Sequence, residues 1–269
     1  MNRKSAEAEG ARAVAETAWT AARWVPLTSH RALVLDILHF AREVPVFPVE
    51  RAFDLAELAA RREEARPRIA WSVLFLKAHA MVAARRPELR RAFVRWPWPH
   101  LVESPAVVGL IAVAREHEGH DRLCWASFKN PHEQPLKQLH WHLRTYQSQP
   151  VEQVFQKQVE FSRLPTALRR LVLWWNLNVV GTKRASRLGT FSISSLAGQQ
   201  SLNRGHPSLL TSSLTYGPLD DRGQTTVTLL CDHRVFDGVP AAAALADLEA
   251  TLRGEICREL ASLRERKAA

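Results

Sequence analysis

Apolar positions recur at helical spacing from His30 onward, where Ala32, Leu33, Leu35, Ile37, Leu38 and Phe40 predict a helix. That helix stops before Pro45, because the residue preceding a proline is driven out of the helical region. Residues 46–53 then predict a strand, and Pro48, which has no N–H to donate, assigns it to a sheet edge. Two further helices are predicted over 55–66 and 71–86. The second carries Val73, Leu74, Leu76, Ala80, Met81 and Ala84 near helical spacing and is closed by Pro87. Residues 95–99, Arg-Trp-Pro-Trp-Pro, read as a rigid aromatic connector. Residues 106–114 and 123–128, dense in Val, Leu, Ala and Phe, predict two strands. A helix is predicted over 135–147, followed by a polar stretch to about Phe161. Another helix is predicted over 166–180, with Pro165 at its start and Gly181 at its end. In the last third, a short strand over 191–194 precedes a hairpin of strands 209–216 and 225–231 about the turn Asp220-Asp221-Arg222-Gly223. An amphipathic helix opens at Pro240, aligns Leu245, Leu248 and Leu252, and ends at Gly254. No repeat or low-complexity linker interrupts this order. It predicts one domain of the α/β (α+β) class over residues 29–269, preceded by an alanine-rich, charged, peripheral leader over 1–28.

The chain has 269 residues, 46% of them hydrophobic, enough to bury a sizeable core. Its longest strongly apolar stretch, 171–180, is about half the length a membrane-spanning helix needs. The first residues lack the apolar centre and cleavage site of a secretory signal, so a cytoplasmic protein is expected. Cys124, Cys231 and Cys257 have neither the number nor the spacing of a disulfide framework or zinc site and read as buried thiols. A net charge of +10, mostly from arginine, admits an anionic partner: nucleic acid, a lipid headgroup or the phosphates of a nucleotide-bearing cofactor. The basic residues are spread along the chain without a nucleic-acid module, so nucleic-acid binding is not expected. His117 with His120, and His140 with His142, lack a third ligand, and no metal is expected.

Chemistry concentrates in Cys231-Asp232-His233-Arg234-Val235-Phe236-Asp237-Gly238, between a predicted strand and a predicted helix. A histidine here takes a proton from a thiol or hydroxyl near neutrality, and a neighbouring carboxylate fixes its tautomer. On those positions alone, an exposed histidine beside a turn aspartate is the simpler reading. The segment nevertheless resembles the Asp-His-Arg-x-x-Asp-Gly signature of the dihydrolipoamide acyltransferases, the catalytic domains of 2-oxo acid dehydrogenase complexes. Chloramphenicol acetyltransferases share the histidine, aspartate and glycine. Gly189-Thr190-Phe191-Ser192-Ile193-Ser194-Ser195-Leu196 is similar to a second family segment. Weaker matches follow in the same order as in the family: Arg31, then Val44-Pro45-Val46-Phe47, Phe53-Asp54-Leu55 and Phe75-Leu76-Lys77-Ala78.

The resemblance implies a chloramphenicol acetyltransferase-like mixed sheet flanked by helices. It also implies an acyl transfer in which His233 is the base and Ser194 hydrogen-bonds the oxyanion. Asp237 would orient the loop, Arg31 would pair with Asp237, and Gly238 would lend structural support. The donor would be an acyl thioester, acyl-CoA first, and the acceptor a thiol, hydroxyl or amine. In the family the site lies in a channel between subunits of a trimer, with histidine and serine from neighbouring chains, which implies a homotrimer here.

Three departures accompany the match. The stretch before the core is too short for a lipoyl domain, so no covalent lipoyl group is expected and membership of a dehydrogenase complex requires a lipoyl arm on another chain. The interval from Ser194 to His233 is shorter than the family's. Residues 162–187 look like an inserted helix with Trp174 and Trp175 between Arg169, Arg170, Lys183, Arg184 and Arg187. This insert reads as a core or subunit-contact helix, a channel for a long acyl chain, or a peripheral membrane contact through 166–180. A trimeric scaffold that has lost catalysis is the alternative to the enzyme.

Overall fold

Strand alternation and helix periodicity together build one mixed sheet flanked by helices. The computed structural model describes residues 22–263, so the leader up to residue 21 and residues 264–269 lie outside the described residues. In chain order the elements begin with α1 (Ser29–Ala41), β1 (Val46–Asp54), α2 (Ala56–Glu64), α3 (Trp71–Arg85), β2 (Arg91–Val94), β3 (His100–Glu103), β4 (Val108–His117) and β5 (His120–Lys129). Then come α4 (Leu136–Ser148), α5 (Val151–Val154), α6 (Gln156–Arg163), α7 (Thr166–Asn178), α8 (Gly181–Leu188) and β6 (Phe191–Ser194). The chain closes with β7 (Ser212–Tyr216), β8 (Gln224–Asp232), α9 (Gly238–Thr251) and α10 (Cys257–Ala261). Six strands form the main sheet in the order β1-β8-β7-β6-β4-β5, and β2 pairs with β3 in a separate hairpin. The β4–β6 and β6–β7 pairs are parallel, and the others in the main sheet are antiparallel. The mixed sheet flanked by helices is the architecture expected from the sequence.

Helix α3 is apolar on nearly every side and is buried over Val73 to Ala80, as a helix without a polar face must be. It lies on the sheet face made by Phe191, Ile193, Leu214, Tyr216, Val227 and Leu229, which alternate with polar residues along their strands. Gly109 permits that approach: a Cβ there would come within 2.5 Å of Leu76 Cδ1 and 2.6 Å of Phe191 Cζ. The opposite sheet face is polar. Ser192 and Ser213 share a hydrogen bond of 2.8 Å, Ser213 and Ser208 one of 2.9 Å, and Thr228 donates to Glu50 over 3.0 Å.

Pro48 does lie on an edge strand, β1. The other edge, β5, is blocked by side chains rather than by proline. The Gln158 amide accepts from Trp125 N at 3.1 Å and donates to Trp125 O at 2.7 Å, and His30 Nε2 accepts from Leu123 N at 3.0 Å. Such covering suppresses strand addition at an open edge.

Four expectations change. The aromatic connector at 95–99 is the tip of the β2–β3 hairpin, whose strands of four residues are too short to show a period. The polar stretch before Phe161 forms α5 and α6, polar because α6 runs along a sheet edge and offers side-chain amides to it. Gly181 opens α8 as well as following α7, and a Cβ on it would strike Val102 Cγ2 at 2.5 Å. Gly254 does not stop the last helix, which passes through a π-turn over Leu252–Ile256 into α10 because Leu252, Ile256 and Leu260 extend the buried stripe.

Two measurements test this packing. Gly109→Ala should lower stability by about 1–3 kcal/mol in urea titration, the usual cost of overpacking. His30 and His79 are both held down to about 4 by burial, with Arg122 and then Arg31 adding to the effect at His30. Unfolded histidines take a proton near 6.5, so between pH 6.5 and about 4 the unfolded state binds more protons. Stability is therefore complete above pH 6.5 and declines as pH falls toward 4. His79→Gln should flatten the slope of Tm against pH in that window, and an unchanged slope would mean that the buried ring is protonated in the fold.

Candidate active site

Strand β8 delivers the loop that carries His233, and its last residue fixes the loop's shape. Asp232 is buried, donates its N–H to Thr211 O at 3.0 Å, and accepts hydrogen bonds through both its carboxylate and its carbonyl oxygen. Its Oδ1 accepts from Arg234 N at 3.0 Å and Arg234 Nε at 2.9 Å, and its Oδ2 from an Arg234 terminal nitrogen at 2.7 Å. Asp232 O accepts from Val235 N at 2.9 Å. This is a two-pronged arginine–carboxylate pair, the geometry in which the planar guanidinium binds most tightly. The guanidinium also stacks over the Phe93 ring at 4.7 Å from the β2–β3 hairpin.

Behind it lies Arg184, buried on α8, which donates to Phe93 O at 2.7 Å, Leu209 O at 2.8 Å and Leu177 O at 3.2 Å. Burial, and then Arg234, lower its pKa to about 10, against a smaller opposing pull from Asp232. Phe236 is buried in the core, so the loop is pinned at Asp232, Arg234 and Phe236.

Between these pins His233 turns outward. Its N–H donates to Pro45 O at 2.9 Å, its ring packs on Phe47 at 4.7 Å, and Nδ1 lies 3.1 Å from Asp237 Oδ1. Asp237 occupies the N-cap of α9 yet caps no N–H with its side chain, giving up a contact typically worth about 1 kcal/mol. Its carboxylate is directed to the histidine instead. The His233 side chain is 56% exposed and that of Asp237 78% exposed, so in a single chain the pair stands at the surface with Nε2 available to a reactant. A carboxylate at Nδ1 fixes the tautomer in which Nε2 accepts a proton.

Ser194 ends β6 on the polar sheet face. It is level with Thr215 on β7, which is level with Thr228 on β8. Five strand residues along and two strands across separate it from His233, which puts their backbones about 19 Å apart. One chain therefore does not bring the two together. Ser195 closes the turn after β6: its hydroxyl donates to Tyr216 O at 2.8 Å and accepts from Ala197 N at 3.1 Å. Thr215 Oγ1, one strand from Ser194, is buried without a partner.

One supporting assignment is corrected. Arg31 does not pair with Asp237 and makes no ion pair among the described residues. It stands in the first turn of α1, where its neighbour His30 is bonded to β5, and β4, β6 and β7 lie between β5 and β8. Gly238 has no positive φ and open space where a Cβ would stand, so its own chain does not require glycine there. Sequence reasoning also passed over the Asp232–Arg234 pair and Phe47, although all three residues lie inside the segments it singled out. No group of three or more His, Cys, Asp or Glu among the described residues could hold a metal. Cys231, beside the site, points into the core and is pushed up to about 12 by burial and then by Asp232, so its thiol is unreactive.

No family model and no curated protein matches the chain by sequence. Solved structures do share its fold. A truncated catalytic core of the 2-oxoacid dehydrogenase multienzyme complex from Thermoplasma acidophilum aligns with a TM-score of 0.64 and 14% identity, over 87% of this chain and 99% of that one. The dihydrolipoamide acetyltransferase of Azotobacter vinelandii, studied for a serine, a histidine and an asparagine in its catalytic mechanism, aligns with a TM-score of 0.63 and 20% identity, over 89% of this chain and 94% of that one. A probable dihydrolipoamide acetyltransferase from Listeria monocytogenes aligns with a TM-score of 0.60 and 15% identity, over 93% and 98%. The chain thus has the fold of acyltransferase catalytic cores, as the sequence resemblance implied.

The brace is testable apart from any activity. Asp232→Ala leaves the Arg234 guanidinium without its carboxylate and should cost about 2–4 kcal/mol by urea denaturation. Arg234→Lys keeps the charge but loses the fork and should cost less. Equal losses in the two variants would mean that charge, rather than the two-pronged geometry, holds the loop.

Proposed function

We propose that this protein is an acyltransferase that moves an acyl group from a thioester, acyl-CoA first, to a thiol, hydroxyl or amine acceptor. The observation that carries the reading is the outward-facing His233, held at Nδ1 by Asp237 and free at Nε2, on a loop that is otherwise pinned. Nε2 takes the proton of the acceptor as its oxygen, sulfur or nitrogen attacks the thioester carbonyl carbon. The negative charge moves to the carbonyl oxygen, where a hydroxyl donor stabilises it. As the tetrahedral intermediate collapses, the carbon–sulfur bond breaks and the departing thiolate takes the proton back from Nε2. Asp237 stabilises the imidazolium that exists between those steps. This chemistry requires neither a metal nor a covalently bound lipoyl group.

The hydroxyl is that of Ser194, and the separation of about 19 Å requires it to come from a neighbouring copy. Each chain then contributes its base to one site and its oxyanion donor to another, and a homotrimer closes such a ring of head-to-tail contacts. A partner covering the exposed His233–Asp237 pair would also exclude water and strengthen it.

The test is acyl transfer across a panel of acyl-CoAs and acceptors. His233→Ala should lower the rate by ~10² to ~10⁴ and Ser194→Ala by ~10² to ~10³. Mixing the two variants, dissociating them and reassembling them should restore about a quarter of the wild-type activity, because sites shared between copies pair an intact base with an intact donor in that fraction. Activity in wild type without recovery on mixing would remove the shared site. Equal turnover by wild type and His233→Ala would remove His233 as the base.

A further inference from the structure

A band of uncovered apolar side chains runs along α7 and onto the tip of the β2–β3 hairpin. On α7, Leu168, Leu171, Val172 and Trp175 share one helix face, with Leu171 59% and Trp175 49% exposed. The opposite face is spoken for: Leu173 and Leu177 pack with Phe40 and Leu209, and Arg169 pairs with the buried Asp36 at 2.7 Å. Trp96 N donates to Asn178 O at 2.9 Å, which sets the hairpin tip against the end of α7. Trp96 and Trp98 at that tip are 53% and 68% exposed.

The charge around the band is mainly positive; at the hairpin tip one exposed carboxylate, Glu43, is paired with Arg95 at 3.4 Å. From Phe161 to Leu219 the sequence contains no Asp or Glu. Arg169, tied to Asp36, and Arg184, tied to backbone carbonyls, are buried and are not the exposed cations that their sequence positions suggest, whereas Arg170 pairs with Asp36 but stays 44% exposed. Lys183 and Arg187, both exposed on α8, form no ion pair among the described residues, and Arg187 donates to Asn176 Oδ1 at 2.6 Å. A second copy laid on this face about a two-fold axis would set these cations against their own equivalents, and the head-to-tail contact proposed above joins the His233 loop of one copy to Ser194 of the next without calling on this face. An anionic bilayer surface satisfies both features, since indole rings favour the boundary between headgroups and acyl chains and the cations favour the headgroups.

We propose that the α7 face and the hairpin tip dock the protein on an anionic lipid bilayer, with Leu171, Trp175, Trp96 and Trp98 entering the interface and Lys183 and Arg187 meeting the headgroups. No helix of the described residues is long and apolar enough to cross a membrane, so the contact is peripheral.

The full chain should co-sediment with phosphatidylglycerol-containing vesicles and bind pure phosphatidylcholine vesicles roughly tenfold more weakly, with the difference shrinking as salt is raised. Leu171→Glu and, separately, Lys183→Glu should each weaken binding several-fold, by about tenfold at most, while leaving Tm unchanged, because both residues are exposed and neither side chain is hydrogen-bonded to the fold among the described residues. Failure to bind phosphatidylglycerol vesicles, or equal binding by the variants, overturns the proposal. So does a fall in molar mass by light scattering in Leu171→Glu, which would assign the face to a contact between copies. None of these outcomes depends on transferase activity.

Discussion

Burial of α3 against the sheet is the constraint on which the other elements depend. A helix apolar on nearly all sides must be covered all round, and the close approach at Gly109 lets the sheet cover one side. The remaining sides are taken by α4, α9 and α10, and the polar groups trapped with it are matched to partners. Lys77 pairs with Glu259 at 2.5 Å, and the same carboxylate accepts from Leu136 N at 2.8 Å, so one ion pair joins α3, α10 and the start of α4. His79, fully enclosed, stays neutral beside Ser212 at 3.3 Å. A like charge or an unpaired one at these positions would cost more than most single contacts contribute.

The same sheet decides where His233 and Ser194 stand. Strands alternate faces, and with one face committed to α3 the hydroxyls of Ser192, Ser194, Ser213 and Thr215 are confined to the other. The antiparallel return of β8 then carries His233 to the end of the sheet opposite Ser194. Within a single copy the His233 imidazole and the Ser194 hydroxyl therefore lie too far apart to meet at one atom. The loop that bears His233 is rigid for a different reason: three of its residues are anchored inward, and the one between the first two has nowhere to turn but out.

Arginine explains more of the interior than the net charge of +10 suggests. Arg115 donates to carbonyls at the C-terminal end of α4, those of Tyr146 and Gln149, and Arg169 to those of Ser162 and Leu164. Arg184 and Arg90 bond carbonyls in the same way, serving as donors that complete unfinished helices and turns. Composition counts these residues as available for phosphate, whereas in the fold they are held by the chain itself.

How far the sequence reached follows from the range of each interaction. It determined the fold class, the long helices and strands, the edge position of Pro48 and the two segments that carry His233 and Ser194, because periodicity, proline geometry and local motif are all short-range. It could not resolve the β2–β3 hairpin, whose strands are shorter than a readable period, or the run through Gly254, where a buried stripe outweighs the cost of one glycine. Asp232 and Arg234 were in plain view, but nothing local says that a motif arginine binds back to a motif aspartate rather than a ligand. Arg31 was misassigned for the converse reason, since order along the chain does not report that three strands intervene. How far Ser194 stands from His233, which arginines remain free, and which apolar helix face is left uncovered are properties of packing between residues distant in sequence, and only the tertiary structure decided them.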